Sequence, residues 1–246
     1  MTTSKSVLIT GATRGLGNNL AHQFARRGYR LALTGRSRED LDRLAAELAA
    51  SAAEVVVEVL DVTAFDTIGP VMQACARQLG GLDIVVVNAG VAFTTPAGKG
   101  HFDLIRQTID VNLSGAIATA EAAVELFRQQ GGGHLVGISS VAALRGFPRN
   151  GIYSATKAGL SRYLEAVRIE TRREPIVVTE LAPGYIDTEL NRSLPNRPFL
   201  VTAEKGTQIM VELIEKQVHF RYVPPWPWTL VAQLLKHLPD SLLAKM

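Results

Sequence analysis

Short runs of apolar residues alternate along the chain with longer amphipathic stretches. Six runs, Ser6–Thr10, Arg30–Thr34, Glu54–Leu60, Asp83–Asn88, His134–Ser139 and Ile176–Leu181, are rich in Val, Ile and Leu with little polar alternation. Parallel strands buried on both faces read this way. Between them, apolar residues recur at helical spacing over Leu16–Arg27, Glu39–Ser51, Phe65–Leu79, Phe102–Arg128 (as two helices) and Ser154–Arg172, and Glu204–Val218 follows the sixth strand. Ser37 with Asp40 three residues later resembles a capping box at one helix start. The alternation predicts an α/β fold, a doubly wound parallel sheet with helices on both faces and right-handed crossovers. No linker or internal repeat interrupts it, so residues 1–246 are expected to form a single domain.

Composition narrows the class. Hydrophobic residues make up 47% of the 246 and charged ones 20%, enough to bury a core and without a disorder signature. The net charge is only +3 and the basic residues are dispersed, so nothing proposes nucleic acid as a partner. The single cysteine, Cys75, lies in an apolar helical pattern and reads as a small core residue. That usage suits a reducing, cytoplasmic setting. Val7-Leu8-Ile9 is too short for an export signal, and no apolar run approaches the length of a spanning helix. His22, His101, His134, His219 and His237 are scattered with no paired ligand spacing, so no metal is expected.

The first strand runs into Thr10-Gly11-Ala12-Thr13-Arg14-Gly15-Leu16-Gly17 and then a helix. Glycines in such a turn let the backbone approach a pyrophosphate, which the helix N-terminus attracts. The spacing differs from G-x-G-x-x-G, and steric uses of glycine remain open for this turn alone. At the end of the second strand an acid would favour a free ribose 2′-hydroxyl. This chain has Thr34-Gly35-Arg36-Ser37-Arg38 instead. Arg36, joined by Arg14, is placed to clamp a 2′-phosphate, which favours NADP over NAD. Further on, Tyr153 and Lys157 stand four apart in Tyr153-Ser154-Ala155-Thr156-Lys157 and share a helix face. An ammonium beside a phenol lowers its pKa from about 10 toward useful acid–base work. A tyrosine packed on a lysine stem would show the same spacing, so the pair depends on its company.

That company is Gly11/Gly15/Gly17, Val87-Asn88-Ala89-Gly90, Asn112, Ser139-Ser140, Tyr153-x-x-x-Lys157 and Pro183-Gly184, all in order. With them the chain resembles a short-chain dehydrogenase/reductase of the single-domain branch over about residues 5 to 220. The resemblance implies that Tyr153 is the catalytic acid/base and that Lys157 lowers its pKa and binds the nicotinamide ribose. It implies that Ser140, rather than Ser139, holds the substrate oxygen, and that Asn112 kinks a helix and holds a relay water. It assigns cofactor contacts to Gly11, Thr13, Arg14, Gly15, Leu16 and Gly17 in the first turn, and to Arg36. Asp61 and Val62 would flank the adenine, Asn88, Ala89 and Gly90 its ribose, and Pro183, Gly184, Ile186 and Thr188 would back the nicotinamide. Val87 departs from the first Asn of many members.

Specificity is expected in the segments after Gly90 and Ser140 and in a substrate loop at residues 185–205. Leu144 and Phe147, with Val91, Phe93, Leu190, Leu194, Phe199 and Leu200, form an apolar inventory that suits a hydrophobic carbonyl compound. The loop's Asn191–Asn196 composition suggests a lid. Arg145 and Arg149 leave an anionic substrate group open. The extension at residues 222–246 places both tryptophans beside prolines ahead of a short apolar helix. It reads as a strap on its own domain, an oligomer contact or, less favoured, a membrane anchor. By analogy with the family, helices near residues 114–128 and 154–172 would pair in a homodimer or homotetramer. The function expected is an NADP-dependent oxidoreductase acting on a carbonyl or secondary alcohol. The alternatives are a redox-neutral dehydratase or epimerase on the same scaffold, or a non-catalytic NADP sensor.

Overall fold

The computed structural model describes residues 4–192, 194 and 196–244. Its strands are β1 (Ser6–Thr10), β2 (Arg30–Gly35), β3 (Glu54–Val59), β4 (Ile84–Val87), β5 (Gly133–Ile138), β6 (Ile176–Pro183) and β7 (Phe220–Val223). They pair in parallel in the order β3-β2-β1-β4-β5-β6-β7. The chain steps outward from β1 to β3 and then returns to β4 on the other side of β1. At that reversal successive connections leave on opposite faces, and a crevice opens beyond the carboxyl ends of β1 and β4.

Alternation along the strands feeds two cores. Leu8, Val85, Val87 and Leu135 face α3 (Phe65–Leu79), α5 (Ala116–Gln130) and α6 (Gly151–Glu170), where Met72, Phe127 and Leu164 meet them. Val7, Ile9, Leu31, Leu33 and Val86 face the opposite way, onto Leu20 and Phe24 of α1 (Gly15–Ala25), Leu41 of α2 (Arg38–Leu48) and Met210 of α7 (Ala203–Glu215). Each such fully buried side chain contributes about 1.5–3 kcal/mol. Cys75 is in the first core, and burial pushes its thiol up to about 12. Ser37 accepts a hydrogen bond from the Asp40 N–H, as its spacing suggested.

The stretch expected as two helices is α4 (Phe102–Ile109) and α5, joined by a π-helical turn over Asp110–Gly115. The wide turn lets Gly115 lie against the main chain of Val62, with a hypothetical Cβ 2.6 Å from the Val62 oxygen.

The seventh strand was not expected. It is four residues long and borders the Pro/Trp segment, so its apolar pattern is too short to separate from the tail. It adds to β6 through Glu180↔Phe220 to Pro183↔Val223. Beyond it, α8 (Pro225–His237) and α9 (Asp240–Leu243) turn back onto the domain. Trp228 and Ala232 are buried with Val141, Ala182 and Tyr222 in a third, smaller core. Of the three readings of the tail, a strap on its own domain is the arrangement present. No described helix is long and apolar enough to cross a membrane.

Candidate active site

The crevice at the reversal is built first by the turn after β1. Gly11 takes a φ of +65°, and a Cβ on Gly17 would fall 2.1 Å from the Gly11 oxygen. Only glycine lets α1 start this close to the strand. The helix opens at Arg14 with no side-chain cap and no acid in its first turn, so its free N–H groups and positive end remain for an anion. Thr13 packs under Gly35, whose hypothetical Cβ would lie 3.2 Å from the threonine methyl. Leu16 anchors the turn in the second core. Arg14 and Arg36 are exposed and make no ion pair among the described residues, whereas Arg38 is paired with Asp42. These features fit a dinucleotide. A polar cleft of about 290 Å³ runs from Arg14 and Asn18 to Thr188 and Arg192. A larger cavity of about 350 Å³ lies near Arg30, Asp83 and Gln130, at the amino ends of the strands and away from this chemistry.

Across the crevice, β4 ends at a junction tied to β1. The N–H groups of Asn88 and Ala89 donate to the Thr10 hydroxyl at 3.0 and 3.1 Å, and the Asn88 amide donates to the Thr10 oxygen at 2.9 Å. Asn88 therefore supplies the staple while Val87 stays buried in the first core. Thr10 went unnoticed in the sequence because a β-branched residue at a strand end reads as strand; its hydroxyl beside the glycine turn was the available signal. Asn112 is fully buried. Its amide donates to the Val91 oxygen at 2.7 Å and its own oxygen accepts from the Val91 N–H at 2.8 Å. The carboxamide thus pins the segment after Gly90. Asp61 accepts from the Thr63 N–H at 3.0 Å and hydroxyl at 2.8 Å in a local turn.

The third wall carries the titratable groups. Ser140 follows β5 and accepts from the Ala142 N–H at 3.1 Å, starting a 3-10 turn over Val141–Leu144. Because α6 begins at Gly151, Tyr153 and Lys157 stand one turn apart on one face. The buried Lys157 donates to the Ile138 oxygen at 2.8 Å, and its nitrogen lies 5.8 Å from the centre of the Tyr153 ring. Burial lowers its pKa to about 8. The Tyr153 phenol stands above its ordinary value because burial dominates, with the Ser140 hydroxyl pulling the other way. This differs from the lowered phenol expected from spacing: the ammonium is directed at a backbone oxygen, and desolvation outweighs it. Ser139 points elsewhere, bonding the Ser161 hydroxyl at 2.7 Å and the Lys157 oxygen at 3.3 Å, while Ser161 donates to the buried Glu180. Ser140, not Ser139, is the serine that acts on the phenol.

Residues 5–198 match the family profile described as short chain dehydrogenase. The chain belongs to that family. It is 37% identical over 243 residues to an uncharacterized oxidoreductase of Mycobacterium tuberculosis, covering 98% of this chain and 96% of the other. An uncharacterized oxidoreductase of Myxococcus xanthus is also 37% identical, over 97% of this chain and 94% of its own. Among solved structures, an alcohol dehydrogenase from the archaeon Thermococcus sibiricus, complexed with 5-hydroxy-NADP, superposes with a TM-score of 0.80 at 28% identity over 90% of this chain and 95% of that one. A short-chain type dehydrogenase/reductase from Mycobacterium marinum gives 0.82 at 25% identity, over 90% and 94%.

In this short-chain dehydrogenase the fourth wall follows β6. Pro183 ends the strand, the Gly184 N–H donates to the Val223 oxygen at 2.9 Å, Ile186 is buried and bridges Val201, and Thr188 faces Gly15. The expected substrate residues divide. Phe147 is partly exposed in the turn before α6, whereas Leu144 packs against the tail core. Arg145, left open for an anionic substrate, is already used. It donates to the oxygens of Leu235, Lys236 and Leu238 and pairs with Asp240 at 2.8 Å. Sequence spacing placed it beside the pocket because the returning tail was not visible there. The 185–205 loop carries a short 3-10 turn at Glu189–Asn191, and Arg197 pairs with Asp187 at 2.7 Å. Ser193 and Pro195 of the expected lid lie outside the described residues.

Proposed function

We propose that this oxidoreductase is NADP-dependent and acts on a carbonyl or secondary-alcohol carbon of a hydrophobic ketone, aldehyde or hydroxy compound. One observation carries the reading: Ser140 and Lys157 converge on Tyr153 at one end of a crevice whose other end holds an uncapped helix terminus and two guanidiniums that make no ion pair among the described residues. Nicotinamide supplies the hydride when bound. The chain's residues do the rest. Tyr153, protonated at neutral pH, hands its proton to the carbonyl oxygen in reduction and recovers it in oxidation. Ser140 hydrogen-bonds the same oxygen, where negative charge develops. Lys157 lies beside Gly90, whose hypothetical Cβ would be 3.8 Å from its nitrogen, and so borders the ribose position. Asn112 acts as a positioning residue through Val91, and a relay water is assigned to the main chain of its wide turn. Arg36 and Arg14 hold the 2′-phosphate.

The apolar-substrate part rests on exposure. Four of the twelve exposed large hydrophobic side chains among the described residues, Leu190, Leu194, Phe199 and Leu200, lie in one short stretch of the 185–205 loop. Exposed apolar side chains so concentrated beside a polar catalytic group suit a hydrophobic ligand. The assembly is assigned to a homodimer or homotetramer through α5 and α6, with Ala155 and Ile169 exposed on α6, and the setting to the cytoplasm.

The test is cofactor oxidation against a panel of ketones and aldehydes from small and polar to bulky and apolar, with NADPH and NADH in parallel. Turnover with NADPH weighted to the bulky members supports the whole reading. Cofactor binding without turnover on any member points to a redox-neutral reaction or to sensing. Arg36→Asp should raise the KM for NADPH about 10- to 100-fold, the equivalent of a charge-assisted bond, and an unchanged NADPH preference would overturn the phosphate assignment.

A further inference from the structure

The strap reaches the crevice through one side chain. Trp228 is buried, 3% exposed, and touches three of the segments that border the site. A Cβ added at Gly184 would fall 2.0 Å from its Cε2 and 2.1 Å from its Nε1, so the indole lies flat against that glycine. Its ring stands 5.9 Å from Tyr185 and 5.8 Å, edge-on, from Phe199 of the 185–205 loop. It also shares the third core with Val141, the residue after Ser140. Phe199 adopts a φ of +57°, an unfavourable conformation for a side chain of this size, in making that contact. Among the described residues the buried indole N–H has no hydrogen-bond partner. A buried donor left unpaired costs stability, so polarity does not explain a tryptophan here, whereas shape does.

We propose that Trp228 is a positioning residue: it sets where the Gly184–Tyr185 turn and Phe199 stand relative to Tyr153, making the C-terminal strap part of the active site. The indole occupies the space that a Cβ on Gly184 would take. Any displacement of the indole moves the turn that borders the crevice and the aromatic edge of the substrate loop together. Both Phe199 and Trp228 lie beyond residue 198, where the match to the family profile ends. The role in turnover rests on the oxidoreductase reading; the fit between Trp228 and Gly184 does not.

A size swap tests it. Gly184→Ala drives a methyl into the indole, and it should weaken NADPH binding and lower kcat/KM on the best ketone at least tenfold. Trp228→Leu removes the obstructing ring, and adding it to Gly184→Ala should restore NADPH binding and kcat/KM to within about threefold of Trp228→Leu alone. Trp228→Phe keeps an aromatic partner for Phe199 and should hold kcat near wild type. Trp228→Leu should raise KM for bulky ketones more than for small ones, a split that general loosening of the fold would not produce. Thermal unfolding confirms that each variant is folded. A Gly184→Ala effect that is equally large in the Trp228→Leu background, or absent in the wild-type background, would overturn the proposal. If wild type binds NADPH but reduces no ketone, the reductase reading fails, while the rescue of NADPH binding still decides the role of Trp228.

Discussion

At the scale of single residues, the site is governed by desolvation. Tyr153 is raised by burial and partly relieved by Ser140, so at neutral pH it keeps the proton that the proposed reduction needs. Removing the hydroxyl while keeping the ring isolates that role. Tyr153→Phe should lower kcat about 100- to 10,000-fold, the range of a general acid, and leave the Kd for NADPH within threefold; retained turnover would remove the assignment. Lys157 titrates in the folded protein at about 8, below its ordinary value. Its charge is therefore present at neutral pH and fades as pH rises through 8. NADPH affinity of the free enzyme, followed by fluorescence, should weaken over that interval and level off above it. For stability the sign is opposite. Between about 8 and the ordinary lysine value the unfolded chain holds a proton that the folded chain has released, so this group makes folding more favourable as pH rises there.

At the scale of elements, the tail is held by Arg145 as well as by Trp228. The end of α8 leaves carbonyl oxygens short of helical partners, and Arg145 donates to those of Leu235, Lys236 and the following Leu238. Its pairing with Asp240 involves a carboxylate that is 95% exposed, and such pairs contribute little. Arg145→Ala should cost about 1–3 kcal/mol in urea unfolding, whereas Asp240→Asn should change stability by less than about 0.5 kcal/mol. Equal effects would mean that the ion pair, not the carbonyl bonds, holds the strap. On its outer face α8 leaves Leu230 and Leu234 exposed four residues apart, with Trp226, whose backbone is not helical, exposed ahead of them, while Trp228, Ala232 and Leu235 face inward. The short helix therefore has two apolar faces, and the inward one explains why periodicity alone could not say which face was covered.

At the scale of the whole molecule, the sheet contains a histidine that resists charge. His134, buried on β5 and bonded to the Thr179 hydroxyl at 2.8 Å, is lowered to about 4 by burial and by the charge of Lys5. Above its ordinary value, 6.5, both states are neutral there and the full stability is present. As pH falls from 6.5 toward 4 the unfolded chain takes up a proton that the folded chain refuses. Stability should then decline by about 3 kcal/mol, with no further loss from this group below about 4. The urea midpoint followed across that range should show the slope, and His134→Gln should flatten it.

The order of strands and helices was legible because each strand buries both faces and each helix one, so local periodicity carries the topology; the extra strand and the folded tail escaped because four residues hold too little period. The site was legible where chemistry depends on neighbours in sequence: the turn Gly11–Gly17, and Tyr153 with Lys157 one helical turn apart. Other features join residues distant along the chain: Thr10 with Asn88, Asn112 with Val91, Arg145 with the end of α8, and Trp228 with Gly184. Sequence by itself determined the scaffold, the candidate reacting groups and the family, since these follow from spacing of a few residues. Only the tertiary structure decided that Lys157 points at a backbone oxygen, that the phenol is raised and that the tail packs against Gly184, because desolvation and packing depend on what the rest of the fold brings within a few ångströms.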